Sequence, residues 1–139
     1  MKDMVLGKAT ERSEAGEFGT AEEFAAMDLF NQQLVEAGIV LAGDGLQPTS
    51  KGKRVAFDAD GNITVIDGPF AETKELVAGY AIWEVASMDE AVEWVKRSPL
   101  RDSEVELRKV LDAEDFAESF AAEIAAAEER RRAEPAANQ

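Results

Sequence analysis

The sequence contains no cysteine, so disulfides, thiolate nucleophiles and cysteine metal sites are excluded. It contains no histidine, which removes the commonest general base and the commonest metal ligand. No apolar run approaches the roughly 20 residues that a membrane-spanning helix needs. The opening segment, Met1-Lys2-Asp3-Met4-Val5-Leu6, is too short and too quickly polar for a secretory signal, so a soluble cytoplasmic protein is expected. Positive charge is scarce: 15 basic residues stand against 29 acidic ones, a net charge of −14. Such a surface repels nucleic acid and anionic membranes, and neither is expected as a partner. No triad, metal motif or phosphate loop is present, so no cofactor is expected.

What is present fits one domain. The 139 residues carry Leu, Ile, Val, Phe and Trp through the first 110 positions, enough for a real core. The densest turn chemistry is Asp67-Gly68-Pro69-Phe70-Ala71-Glu72-Thr73-Lys74-Glu75. Strand-like residues 62–66 precede it, and a longer strand-like run, 76–85, follows. Pro69 fixes its own φ, and Asp67 can accept hydrogen bonds from backbone N–H groups ahead of it. A corner between two strands is expected, with Asp67 holding it.

Around that corner the chain alternates. Residues 2–9 read as a strand and the polar, glycine-bearing residues 10–19 as a loop. Thr20 and Glu23 form a capping box. Phe24, Met27, Phe30 or Asn31, and Leu34 then keep helical spacing up to Gly38, where a C-terminal glycine belongs. Ile39-Val40-Leu41-Ala42 starts a strand that Gly43-Asp44-Gly45 interrupts as a bulge or bend. No helix follows these glycines, which argues against a nucleotide cradle. Pro48 to Gly52 is a turn. Residues 54–58 and 62–66 form a hairpin around Asp60-Gly61.

After strand 76–85 comes a second capping box, Ser87 with Glu90, and a short helix carrying Ala91, Val92, Trp94 and Val95 that Pro99 stops. Trp94 is expected to pack on a sheet rather than stack on a ligand. Residues 103–110 form a last strand with Val105 and Leu107 on one face. The plan is β-α-β, a hairpin insertion, then β-α-β: a ferredoxin-like α+β fold over residues 1–111. Residues 112–133 read as an added helix with a Phe116, Phe120 and Ile124 stripe that docks on the domain or on a partner. Arg130-Arg131-Arg132 is a helix end rather than a nucleic-acid contact. Residues 134–139 read as a disordered tail. A one-sided sheet needs cover on its other face. Strand 76–85 is apolar on both sides: Val77, Ala81 and Trp83 on one, Leu76, Tyr80 and Ile82 on the other. A homodimer is expected.

The segment DGPFAETKE, residues 67–75, resembles the signature of the DGPF-domain or YCII-related family. Ala37 to Pro48 resembles that family's "AG-apolar-apolar-AGEGL-P" segment, and Ala91 to Pro99 its "EA-EWA-R-P" helix end. The resemblance covers about residues 1–110. It implies a ferredoxin-like α+β fold with an antiparallel sheet that dimerises into a β-barrel-like assembly. Some relatives carry a histidine paired with an aspartate, and many have histidine where this chain has Gln47. That dyad cannot operate here; Gln47 can hydrogen-bond a ligand but cannot transfer a proton at neutral pH.

The candidate site residues are Asp67 at a strand end, Gln47 and Lys8 near other strand ends, and Glu72 and Lys74 on the motif loop. Asp67 is expected both to hold the corner and to border a cleft. Three function classes follow. The first is a small-molecule-binding module. The second is an enzyme using Asp67 as base with Lys8 or Lys74 as electrostatic partner. The third, prompted by the family's association with sigma factors, is a regulatory partner of the transcription machinery acting by protein contact.

Overall fold

The computed structural model describes residues 1–116 and 118–133, and the chain divides into two units at Lys109. In the first unit the order is β1 (Lys2–Lys8), α1 (Glu11–Glu14), α2 (Ala21–Glu36), β2 (Val40–Gly45), β3 (Lys53–Phe57), β4 (Ile63–Asp67), β5 (Val77–Glu84), α3 (Met88–Lys96) and β6 (Val105–Lys109). One sheet has the order β2-β5-β1-β6, with every neighbour antiparallel. β5 lies between β1 and β2, and β1 lies between β5 and β6. Each β-α-β unit is thus split by a strand of the other, the ferredoxin-like arrangement. β3 and β4 pair with each other as a separate hairpin.

The helices form where local chemistry starts and stops them. The Thr20 side chain accepts from the Glu23 N–H, and Gly38 ends α2 at φ +73°, a conformation that costs a residue with a Cβ. The Glu23 carboxylate does not reach back to complete the box; it faces the Arg12 guanidinium at 3.6 Å. Ser87 caps α3, and Glu90 accepts from the Ala86 N–H at 2.8 Å.

Both helices bury one stripe on one face of the sheet. Phe30 and Leu34 from α2, Ala91 from α3, and Ile39, Trp83 and Val85 form the core, with Val5, Ala81, Trp94 and Leu107 packed at its edge. Each large apolar side chain buried there contributes about 1.5–3 kcal/mol. Ala81 and Trp83 point into this layer as the alternation required. Met4 and Leu6 stand opposite Ile82 and Tyr80 in register, and all four remain half-buried on the other face. Trp94 packs at the core, with the Arg97 guanidinium 4.5 Å from its ring centroid.

Three local expectations are corrected. Residues 10–19 are not all loop: Thr10 and Ser13 cap each other reciprocally and wind a one-turn helix. β2 is not interrupted at Gly43; it pairs through Gly45, and its irregularity falls between Val40 and Ala42. A Cβ at residue 43 would sit 3.1 Å from the Tyr80 carbonyl oxygen, so glycine there allows close pairing rather than breaking it. Phe24 is 74% exposed, so the buried stripe of α2 begins at Met27.

In the second unit, Asp112 caps a short turn, Ala113–Asp115, and α4 spans Glu118–Ala133. Phe116 therefore precedes the helix instead of lying on it, and its ring meets Phe120 edge-on at 5.8 Å between centroids. The expected tail, 134–139, lies outside the described residues. Among the described residues no helix is long and apolar enough to cross a membrane.

One residue breaks the core's chemistry. Asp3 lies on β1 directly opposite Trp83 and Lys109, is 0% exposed, and neither carboxylate oxygen accepts a hydrogen bond. Burial pushes its pKa up. The folded state therefore holds a proton that the unfolded state has released, so stability falls as pH rises from the ordinary aspartate pKa to the raised one, then levels off. Asp3→Val, of similar volume, is expected to stabilise the protein at neutral pH by roughly 1–3 kcal/mol, the cost of an unsatisfied buried group. Asp3→Asn should flatten the fall that begins at the ordinary aspartate pKa. Melts of the three proteins across pH check this, and an unchanged pH slope in Asp3→Asn would refute it.

Candidate functional site

The end of the sheet where β2 stops and β5 begins is organised by Thr49. The chain turns there through Pro48 and a single 3₁₀ turn, Thr49–Lys51. The Thr49 N–H and hydroxyl both donate to the Glu14 carboxylate, at 3.2 and 2.8 Å to Oε2. The same hydroxyl oxygen accepts the Phe70 N–H at 3.1 Å. A hydroxyl can donate once and accept as well, so one side chain joins α1 to the corner after β4. Beside it, the Gly68 N–H donates to the Gly52 carbonyl at 3.0 Å. A Cβ at residue 68 would fall 1.7 Å from the Thr49 carbonyl oxygen, so the two backbones meet only because residue 68 is glycine. The Gly68–Pro69 peptide is cis. The Arg54 guanidinium lies 4.0 Å over the Phe70 ring centroid and fastens the corner to the hairpin.

This corrects the role expected of Asp67 in the corner. The N–H groups ahead of it go to Gly52 and Thr49. The Asp67 carboxylate instead pairs with its cross-strand partner Lys53, at the exposed base of the hairpin.

A cavity of about 310 Å³ opens beside the Thr49 turn, lined by Ser13, Phe18, Gly45, Leu46, Gln47 and Ala78. The Leu46 N–H bonds the Ala78 carbonyl at 2.8 Å and carries the β2–β5 pairing to the cavity wall. The lining is mainly apolar and contains no ionisable side chain. Of the five residues expected at the site, the cavity wall contains Gln47 alone. The Lys8 ammonium donates to the Glu75 carbonyl at 3.4 Å and lies 3.7 Å from the Glu106 carboxylate, its side chain 10% exposed. Lys74 lies on the 3₁₀ turn Thr73–Glu75, and Glu72 precedes it without a side-chain capping bond; both are exposed. Glu72 has φ +61°, a left-handed conformation that strains a residue with a Cβ. Among the described residues no group of three or more acidic side chains is placed to hold a metal ion.

Ser13, Phe18, Glu14 and Thr49 were not singled out from the sequence. Glu14 and Thr49 are 35 residues apart and match no motif. The one available signal was the Thr10–Ser13 pair, a cap at the start of a supposed loop.

The model of the YCII-related domain matches residues 1–114, and the chain belongs to that family. An uncharacterised protein of Rhizobium meliloti (strain 1021) is 38% identical over 65 residues, which cover 47% of this chain. The match spans about half, 52%, of that relative's length. Among solved structures, the chain is similar to 5-chloro-2-hydroxyhydroquinone dehydrochlorinase from Burkholderia phenoliruptrix AC1100, in complex with 2,5-dihydroxybenzoquinone. That likeness has a TM-score of 0.46 at 15% identity, over 84% of this chain and 100% of the other.

Thr49→Val keeps shape and removes the hydroxyl. It should strand the Phe70 N–H and one contact of Glu14, and lower stability by about 1–3 kcal/mol. Thr49→Ser should restore most of that. Equal melting temperatures for the Val variant and the parent would contradict the clamp.

Proposed function

We propose that the protein is a cytoplasmic small-molecule-binding module whose ligand enters the cavity beside Gln47. The observation that carries this reading is the make-up of the wall: Phe18, Leu46 and Ala78 offer apolar surface, and the Gln47 amide is a polar handle. Binding sites commonly combine apolar walls with a few placed polar groups, and the volume is near the lower end of their range of roughly 300–1,000 Å³. The amide can donate and accept, but it cannot move a proton at neutral pH, so the wall supports recognition better than acid–base chemistry. Lys8, Glu72, Lys74 and Asp67 are not part of this wall.

The test is a thermal-shift screen of small uncharged compounds, followed by calorimetric titration of the hits. Leu46→Asp places a charge in the apolar wall and should abolish binding. Gln47→Ala should weaken it by about tenfold or less, the value of one hydrogen bond. Asp67→Asn keeps shape and removes the charge, and should leave affinity intact. A hit that binds Leu46→Asp and parent equally would sink this reading. Binding lost in Asp67→Asn would favour a role for that carboxylate instead.

A further inference from the structure

Phe18 belongs to the cavity wall, yet it is 73% exposed. Its ring therefore stands at the rim and presents most of its surface to water. Among the described residues, the segment that carries it has backbone hydrogen bonds only at its two ends. Before it, the Gly16 N–H donates to the Ser13 carbonyl at 3.1 Å and the Glu17 N–H to the Arg12 carbonyl at 2.9 Å. After it, the next such bond runs from the Phe24 N–H to the Thr20 carbonyl, at the start of α2. Gly16 and Gly19 flank the ring at φ +82° and +89°, and glycine crosses between left- and right-handed backbone at little cost. A Cβ at residue 16 would meet nothing within 4 Å, so that pivot turns in open space. The Arg12 guanidinium lies 3.8 Å from the Glu17 carboxylate and 3.6 Å from that of Glu23, and so ties the two ends of the loop together. All three side chains are exposed, and exposed ion pairs yield easily.

We propose, building on the cavity reading, that this loop is a lid that selects a flat, uncharged aromatic ligand: Phe18 swings over the cavity and lays its ring against the bound one. The polar chemistry of the wall fits such a molecule. The Ser13 hydroxyl is already spent, since it donates to the Thr10 carbonyl at 3.0 Å and accepts the Thr10 N–H at 2.9 Å. The Leu46 N–H is taken by the Ala78 carbonyl. The Gln47 amide is the side-chain handle left in the wall, and an amide pairs donor to acceptor and acceptor to donor with a carboxamide or lactam edge. Leu46 and Ala78 supply apolar surface for the rest of the ligand. A charged ligand would give up hydration against this wall and meet no side chain of opposite sign in it. Aromatic rings in offset or edge-on contact gain more than their buried area alone, whereas a saturated ring gains the area only. Closure also takes the exposed Phe18 ring out of water, which favours the closed form once a ring is there to receive it.

Titration with two probes, followed by NMR, tests it. Benzamide is a flat neutral ring bearing one carboxamide; cyclohexanecarboxamide carries the same polar group on a puckered, saturated ring. Benzamide should bind the parent, and at saturation the amide exchange of Phe18 and Gly19 should slow by about threefold or more. Phe18→Ala removes an exposed side chain and should keep the parent's melting temperature. It should weaken benzamide by about tenfold and lower the ratio of benzamide to cyclohexanecarboxamide affinity by about threefold. Phe18→Trp should keep the parent's ratio. Benzamide that fails to bind the parent, or that binds Phe18→Ala as tightly, overturns the proposal, and so does an unchanged ratio. Affinity that falls in Leu46→Asp but not in Phe18→Ala removes the lid and leaves the cavity reading standing. Equal affinity in the parent and Leu46→Asp removes the cavity reading and the lid with it.

Discussion

One hydroxyl holds the cavity end of this fold together. Thr49 accepts from the corner after β4 and donates to a glutamate on a one-turn helix far upstream. Neither contact is large alone: a hydrogen bond contributes about 1 kcal/mol net, and one to a charged group about 1.5–3 kcal/mol. Their value lies in coincidence, because both meet at a turn against which Gly68 is pressed. Three segments that share no sheet pairing are thereby fixed relative to each other. The cavity draws its walls from these segments and their neighbours: Ser13 within the first and Phe18 after it, Gly45 to Gln47 before the second, Ala78 beyond the third. Its shape is a product of the clamp more than of the core.

The core itself is thin and lies on one side of the sheet. It is anchored by Trp83 and by the Phe30–Leu34 stripe, and it tolerates a carboxylate at its margin. Replacing a buried charged or polar group by a well-packed apolar one often stabilises a protein. Asp3 thus reads as a stability cost left in place.

Much of the fold was legible because its signals are local. Thr20 and Ser87 announced helix starts, Asp60-Gly61 announced the hairpin, and alternation placed Ala81 and Trp83 together on one face. The features that escaped depend on what the chain meets after long excursions. Whether Asp67 caps its own corner or pairs across a hairpin depends on the register that places Lys53 opposite it. The Glu14–Thr49 contact has no pattern at all, since a glutamate and a threonine at that separation are ordinary. Of the cavity wall, Gln47 was singled out because it follows a strand end, and so does the cavity. Lys8, by the same reasoning, was drawn instead to Glu106 and the Glu75 carbonyl.

The β3–β4 hairpin, with Val55, Phe57, Ile63 and Val65 exposed on a strongly acidic body, has a consequence for conditions. Burial of apolar surface weakens on cooling, because its driving force near room temperature is entropic. Repulsion between two acidic bodies is screened as salt rises, with a Debye length of about 8 Å at physiological ionic strength. Any apolar contact made through the exposed hairpin is therefore favoured by warmth and by salt together. Cold, dilute, low-salt buffer, the usual setting for handling a purified protein, opposes it on both counts.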